Sequence, residues 1–200
     1  MFTGIVTDIG HVRSVSVTGA GDGEGRRFEI ATNEALDTVT IGASIACSGA
    51  CMTVVDKGHD WFCVEVSAES LSKTTLGTWQ NGTRMNLERA MRLGDELGGH
   101  MVSGHVDGVG ELVSRTSDGD SQRLAFSLPQ ALTKFIAAKG SVTIDGASLT
   151  INEVEGNAFT INVIPHTQKA TTLGTLEIGD KVNLEIDMLA RYVARLLGQE

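Results

Sequence analysis

Ser48-Gly49-Ala50-Cys51-Met52-Thr53-Val54 lines up with Asp145-Gly146-Ala147-Ser148-Leu149-Thr150-Ile151, a shift of 148 − 51 = 97 residues. At the same shift Thr74-Thr75-Leu76-Gly77 recurs as Thr171-Thr172-Leu173-Gly174, and Met85-Asn86-Leu87-Glu88 as Val182-Asn183-Leu184-Glu185. Near the start, Thr3-Gly4-Ile5-Val6 matches Ser103-Gly104-His105-Val106 at a shift of 103 − 3 = 100, so three residues are absorbed in a loop. The 200 residues are therefore a tandem duplication, and each copy is long enough to bury a core. Repeated small polar pairs suggest two related pockets, and two related pockets invite a reaction between two like molecules.

Periodicity gives the fold class. Phe62, Val64 and Val66 alternate with Cys63 and Glu65; Val142 and Ile144 flank Thr143. Ile161, Val163 and Pro165 alternate with Asn162 and Ile164, and Val182, Leu184 and Ile186 with Asn183 and Glu185. Period-two runs among 24 glycines and only 2 prolines read as short strands, hence an all-β chain with a small antiparallel barrel in each half. Helices are expected at 33–36 and at 129–138, where Pro129 suits a first turn and Gly140 follows the end. A third, at 188–197, carries an apolar stripe with Asp187 as N-cap and Gly198 as stop. It has no counterpart in the first copy. Such a helix covers a barrel end or packs on copies of itself, and the oligomer is the favoured reading. The expected units are 1–97, 98–186 and the helix 187–200, with 89–101 as a charged, glycine-punctuated linker.

Other classes are disfavoured. A formal charge of −9 argues against nucleic acid as the main partner. No apolar run approaches the ~20 residues that cross a bilayer. The start, Met1-Phe2-Thr3-Gly4, lacks the basic and apolar regions of a signal peptide. Three cysteines do not make a disulfide framework, and a cytoplasmic protein is the simplest reading. The glycine-rich stretch at 19–25 lacks dinucleotide-binding spacing and reads as a hairpin tip. His100 and His105, or Cys47 and Cys51, are not zinc sites without further ligands. No Gly-x-Ser-x-Gly elbow is present.

Met1-Phe2-Thr3-Gly4-Ile5-Val6, Gly98-Gly99-His100, Ser103-Gly104-His105, Asp145-Gly146-Ala147-Ser148-Leu149-Thr150 and Asn183-Leu184-Glu185-Ile186-Asp187 together resemble the riboflavin synthase family of the alpha-chain type. The resemblance spans nearly the whole chain, in order and through both copies. It implies two tandem six-stranded antiparallel Greek-key barrels, each binding a lumazine, and a homotrimer held largely by the C-terminal amphipathic helix. It implies dismutation of two 6,7-dimethyl-8-ribityllumazine molecules by transfer of a four-carbon unit, giving riboflavin and 5-amino-6-ribitylamino-uracil. It implies no metal and no organic cofactor, and active sites between the N-terminal barrel of one subunit and the C-terminal barrel of the next. It also allows an association with lumazine synthase.

Carried onto this chain, the substrate-binding positions are Phe2, Gly4-Ile5-Val6, Cys51-Met52-Thr53 and Glu65-Val66-Ser67-Ala68-Glu69-Ser70 in the first copy. In the second they are Gly104-His105-Val106, Lys139, Ser148-Leu149-Thr150 and Asn162-Val163-Ile164-Pro165-His166-Thr167. His105, Cys51, Ser44, Ser148, Thr150 and Asp187 are the candidate catalytic residues. Imidazole titrates near neutral pH, so His105 suits proton transfer, against a plain strand-end histidine. Cys51 is a contact, a nucleophile needing activation, or a small filler. Lys139 orients a carbonyl or hydroxyl, or is a surface lysine before a glycine turn. Asp187 caps the helix, partners His105 across an interface, or both. Phe2 packs on a flat ring or simply opens a strand.

The mismatches between copies are the sharper signal: Ile5/His105, Gly42/Lys139, Ser48/Asp145, Cys51/Ser148 and Glu69/His166. Like frames with unlike polar groups suggest a donor role and an acceptor role. The rival readings are a non-catalytic lumazine- or flavin-binding protein of the same fold and, more remotely, a flavoprotein reductase module.

Overall fold

The alternating runs pair into two closed antiparallel barrels of six strands each. The computed structural model describes residues 1–19 and 23–198, so the hairpin tip expected at 19–25 lies partly outside the described residues. The first barrel contains β1 (Asp8–Thr18), β2 (Gly25–Ala31), β3 (Ser44–Cys47), β4 (Ala50–Lys57), β5 (Trp61–Val66) and β6 (Arg84–Arg89). The second contains β7 (Gly108–Asp118), β8 (Ser121–Ser127), β9 (Ser141–Ile144), β10 (Ala147–Glu155), β11 (Ala158–Val163) and β12 (Lys181–Ile186). The first circuit runs β1-β2-β5-β4-β3-β6, and the second repeats it strand for strand. The register shift between Val12 and Ser14 in β1 recurs between Leu112 and Ser114 in β7, so even the bulges are duplicated.

The inward-facing alternate residues fill the barrels. Phe28, Ile30, Phe62 and Val64 are buried in the first, Leu124, Phe126, Phe159 and Ile161 in the second. Closure leaves no free sheet edge, which removes the usual route to edge-to-edge aggregation. Helix α1 (Ala68–Lys73) follows β5 and α2 (Pro165–Ala170) follows β11; neither contains a buried residue. Each is followed by a 3-10 turn, Thr75–Thr78 or Thr172–Thr175.

Several expectations need correction. No helix forms at 33–36: Asp8 Oδ2 accepts from Thr32 Oγ1 at 2.6 Å and from Asn33 N at 2.8 Å, which ties the segment into a turn. The helix expected at 129–138 is a 3-10 helix of six residues, Gln130–Phe135, and Ile136 then turns extended into the core. The strand run expected to reach Pro165 stops at Val163, because Pro165 opens α2 at its first turn. Arg89 ends β6 and does not belong to the linker. The C-terminal helix α3 spans Met188–Leu196, capped by Asp187 Oδ1, which accepts from Leu189 N at 2.9 Å. Gly198, at φ +66°, follows it.

The motif that revealed the duplication builds the junction between the barrels. Ser48-Gly49 and Asp145-Gly146 are two-residue hairpin turns with φ of 42°, 81°, 45° and 83°. Positive φ at both central residues makes them type I′, where glycine second is favoured. The turns meet back to back: a Cβ on Gly146 would lie 2.9 Å from the Gly49 nitrogen. Two buried asparagines lock the contact reciprocally. Asn86 Nδ2 donates to Asp145 O and Asn183 Nδ2 to Ser48 O, each at 2.8 Å. Their Oδ1 atoms accept from Thr172 N and Thr75 N, also at 2.8 Å.

A second exchange concerns the segments that lead into each barrel. Phe2 and Val102 form an antiparallel bridge. Beyond it the two segments cross. Ser148 N donates to Gly4 O and Cys51 N to Gly104 O, both at 2.8 Å. Val6 packs on the core of the second barrel and Val106 on that of the first. Buried carboxylates hold both segments. Glu88 accepts from Thr3 N (2.6 Å), Thr3 Oγ1 (2.8 Å) and Gly4 N (3.0 Å). Glu185 accepts from Ser103 N (2.6 Å), Ser103 Oγ (2.7 Å) and Gly104 N (2.9 Å). Burial pushes the pKa of both glutamates up, while these hydrogen bonds pull it back.

Candidate active site

The crossing sorts the candidate residues into two half-sites, each drawn from both copies. The first gathers Cys51-Met52-Thr53 on β4, Ser44 on β3 and the incoming Gly104-His105-Val106. Ser44 pairs with Thr53 across the β3–β4 ladder. Met52 is buried while Cys51 and Thr53 are more accessible, as strand alternation requires. Pairing of Val54 with Val64 brings this end of β4 beside Glu65 and Val66, at the end of β5. Ser67 then caps α1, its Oγ accepting from Ser70 N at 3.2 Å, and Ala68, Glu69 and Ser70 form the first turn. His105 is exposed; its backbone N–H donates to Ser103 Oγ at 3.2 Å. A Cβ on Gly104 would sit 2.6 Å from the Cys51 Cβ, so only glycine lets the His105 turn approach β4 this closely.

The second half-site repeats the frame with Ser148-Leu149-Thr150 on β10 and the incoming Gly4-Ile5-Val6. Thr150 pairs with Ser141, as Thr53 does with Ser44. Ile151 pairs with Ile161, which places Asn162 and Val163 beside this end of β10. Ile164 caps α2 through its backbone alone, and Pro165, His166 and Thr167 form the first turn. Ile5 is exposed, at the position His105 holds in the other turn. Lys139 is exposed with φ +68°, and its N–H donates to Ile151 O at 2.8 Å. Gly42 holds the matching place with φ +89° and donates to Val54 O at 2.8 Å. A lysine in the left-handed region costs about 1 kcal/mol of backbone strain that glycine avoids.

The geometry adds His100 to these candidates. His100 Nδ1 lies 2.7 Å from Ser148 Oγ, and Nε2 lies 3.2 Å from Thr143 Oγ1. Burial lowers its pKa, and the nearby Asp187 charge raises it against that trend. The neutral ring so favoured has one acceptor nitrogen, and either hydroxyl can supply the proton it accepts. The signal was present in Gly98-Gly99-His100: a Cβ on Gly99 would be 2.8 Å from the Ser148 Cβ, so the glycines bring the ring to β10. Asp187 therefore serves the helix cap and the surroundings of His100 within the chain. At the matching place in the first half-site, Phe2, Ala46 and Val102 form a buried apolar cluster with Cys51 and Ala90 packed on it.

The comparisons with known proteins agree with the duplication. The family model described as "Lumazine binding domain" matches residues 3–90 and again 103–187. The chain is 51% identical over 201 residues to riboflavin synthase of Brucella abortus (strain 2308), covering 98% of each. It is 40% identical over 203 residues to riboflavin synthase of Mycobacterium tuberculosis (strain ATCC 25618 / H37Rv), again covering 98% of each. Among solved structures, LumP complexed with riboflavin aligns with TM-score 0.82 at 27% identity, covering 93% of this chain and 99% of that one.

Proposed function

The chain belongs to the riboflavin synthase family of duplicated lumazine-binding barrels, and from that premise we propose that it converts two 6,7-dimethyl-8-ribityllumazine molecules into riboflavin and 5-amino-6-ribitylamino-uracil. A four-carbon unit passes from one lumazine to the other. Two identical molecules enter and the two products contain all their atoms, so the transfer consumes no added oxidant or reductant. Holding both rings in reactive contact lowers the barrier by about 7–11 kcal/mol through restricted motion alone. What remains is proton movement at the acidic methyl group and at the ring carbon that is attacked.

The observation that carries this reading is the pair of like half-sites with unlike polar groups. Ser44/Thr53 and Ser141/Thr150 offer each lumazine the same hydroxyl pair. His105 attends the first half-site as an exposed proton acceptor and donor. In the second, His100 accepts the Ser148 proton as that hydroxyl adds to, or directs water onto, the ring. Lys139 meets a carbonyl or ribityl oxygen at the rim. Cys51 makes contact on the first side.

A homotrimer completes the reading. Leu189, Tyr192, Val193 and Leu196 of α3 and Leu197 at its C-cap are exposed, and contact with the same helix in other subunits would cover them. Each active site is then closed by the first half-site of one subunit and the second of its neighbour. The free state of all three cysteines accords with a cytoplasmic protein.

Binding without catalysis is the second reading, favoured by the likeness to LumP. Incubating the pure protein with the lumazine alone separates the two. The enzyme produces riboflavin with no cofactor added, whereas a binder leaves the lumazine unchanged. His105→Ala is expected to slow product formation by about a hundredfold while substrate still binds. Wild-type turnover in that variant removes the proton-transfer role.

A further inference from the structure

Between the barrels lies a cavity of about 940 Å³ lined by none of the residues assigned above to lumazine. Its wall is another product of the duplication: Thr75, Thr78 and Arg84 are answered, each 97 residues later, by Thr172, Thr175 and Lys181. Cavities of roughly 300–1,000 Å³ hold small molecules. Two buried polar groups in this wall have unused capacity. Asp145 is 7% exposed; its Oδ1 accepts from Asn183 N at 2.8 Å, and its Oδ2 has no hydrogen bond among the described residues. Thr172 is 8% exposed, and its Oγ1 is buried with no partner among the described residues. Buried polar groups in folded proteins are nearly always paired, so the Thr172 hydroxyl points to a missing partner.

The surroundings indicate its chemistry. Threonine hydroxyls donate and accept, which suits a ligand carrying several hydroxyls of its own. Asp145 Oδ2 accepts a hydroxyl proton. Asp180 is already engaged, its Oδ2 accepting from Glu177 N at 2.8 Å. Arg84 and Lys181 make no ion pair among the described residues, so two cations stand free for an anion. The aromatic ring in the wall, Trp79, is 5% exposed and packs edge-on against Phe28 at 5.6 Å, leaving no open face for a base to stack on.

We propose that this inter-barrel cavity is a second small-molecule site that binds a phosphorylated polyol, with its hydroxyls on Thr172 and Asp145 and its phosphate at Arg84 and Lys181. The site is separate from lumazine chemistry and does not depend on the reading given above.

Calorimetry with ribitol 5-phosphate as probe, and with ribitol and inorganic phosphate as controls, tests it on the full-length protein. The phosphorylated polyol is expected to bind more tightly than either control. The double variant R84A/K181A weakens it by about tenfold or more. Thr172→Val, which keeps shape and removes the hydroxyl, weakens it several-fold. Neither variant changes turnover of the lumazine, which also reports that both fold. Equal binding of ribitol, equal binding of inorganic phosphate, or no binding of any probe overturns the proposal. So does binding that survives R84A/K181A, which would place the probe in the substrate pocket.

Discussion

At equivalent places the two barrels carry opposite chemistry. In the second, His100 lies between Ser148 and Thr143 with the charge of Asp187 nearby. Moved back by 97 residues, Ser148, Thr143 and Asp187 become Cys51, Ala46 and Ala90, which pack with Phe2 and Val102 in an apolar cluster. Backbone frame, register and hydroxyl pair are shared, so the difference isolates what each barrel adds. One copy keeps a polar cluster of imidazole and hydroxyls; the other keeps a closed apolar cluster. At this matched place, three substitutions within a shared frame give the two copies unlike surroundings.

The largest expected effect tests that division directly. Ser148→Ala should lower kcat by about a thousandfold with little change in KM, because it removes the group that His100 contacts. Cys51→Ala, at the matching position, should lower it by about tenfold. Steady-state riboflavin formation measures both, and equal losses would break the comparison.

The next effect concerns the junction turns. Burial raises the Asp145 pKa from 3.8 to about 7, whereas its counterpart Ser48 cannot ionise in this range. A folded-state pKa above the unfolded one means that the protonated form favours folding. That contribution is complete below the ordinary value of 3.8 and is lost as pH rises through about 7. Melting temperatures of the wild type should therefore fall across this window relative to Asp145→Asn. The neutral amide keeps the acceptor used by Asn183 N, and the difference should amount to about 2–4 kcal/mol at its upper end. Parallel melting curves for the two proteins would show that Asp145 ionises freely in the fold.

The smallest effect has a sign that separates function from stability. Lys139 holds φ +68° where the other copy has Gly42. Lys139→Gly should leave the melting temperature unchanged or raise it, by up to about 1 kcal/mol of relieved strain. It should also raise KM for the lumazine several-fold. An unaltered KM would take Lys139 out of the site.

The repeat made much of this legible in the sequence. Period-two runs mark β5, β9, β11 and β12. The crossing of the leading segments was not legible: Thr3-Gly4-Ile5-Val6 and Ser103-Gly104-His105-Val106 are alike, so either fits either barrel. Only the hydrogen bonds Ser148 N–Gly4 O and Cys51 N–Gly104 O decide it. Helices α1 and α2 escaped notice because they bury nothing and so leave no apolar stripe. Asn183 reads as a polar member of an alternating strand and Asn86 only as its repeat, although the repetition reflects the locks they form between barrels. His100 stands in the sequence only as part of Gly98-Gly99-His100 and of an incomplete zinc pair. Its neighbours in space come from β9 and β10, more than 40 residues along the chain.

The crossing also sets a timetable. Gly4 docks on the strand that contains Ser148, which is made 148 − 4 = 144 residues later. At synthesis rates of about 5–20 residues per second, it waits roughly 7–30 seconds for that partner. For about the first two-thirds of that interval the first barrel lacks the Gly104 turn, and for all of it the leading segment has no place to dock. Completion of the second barrel thus draws on both copies, so that the segment holding Gly4 is made early and placed late.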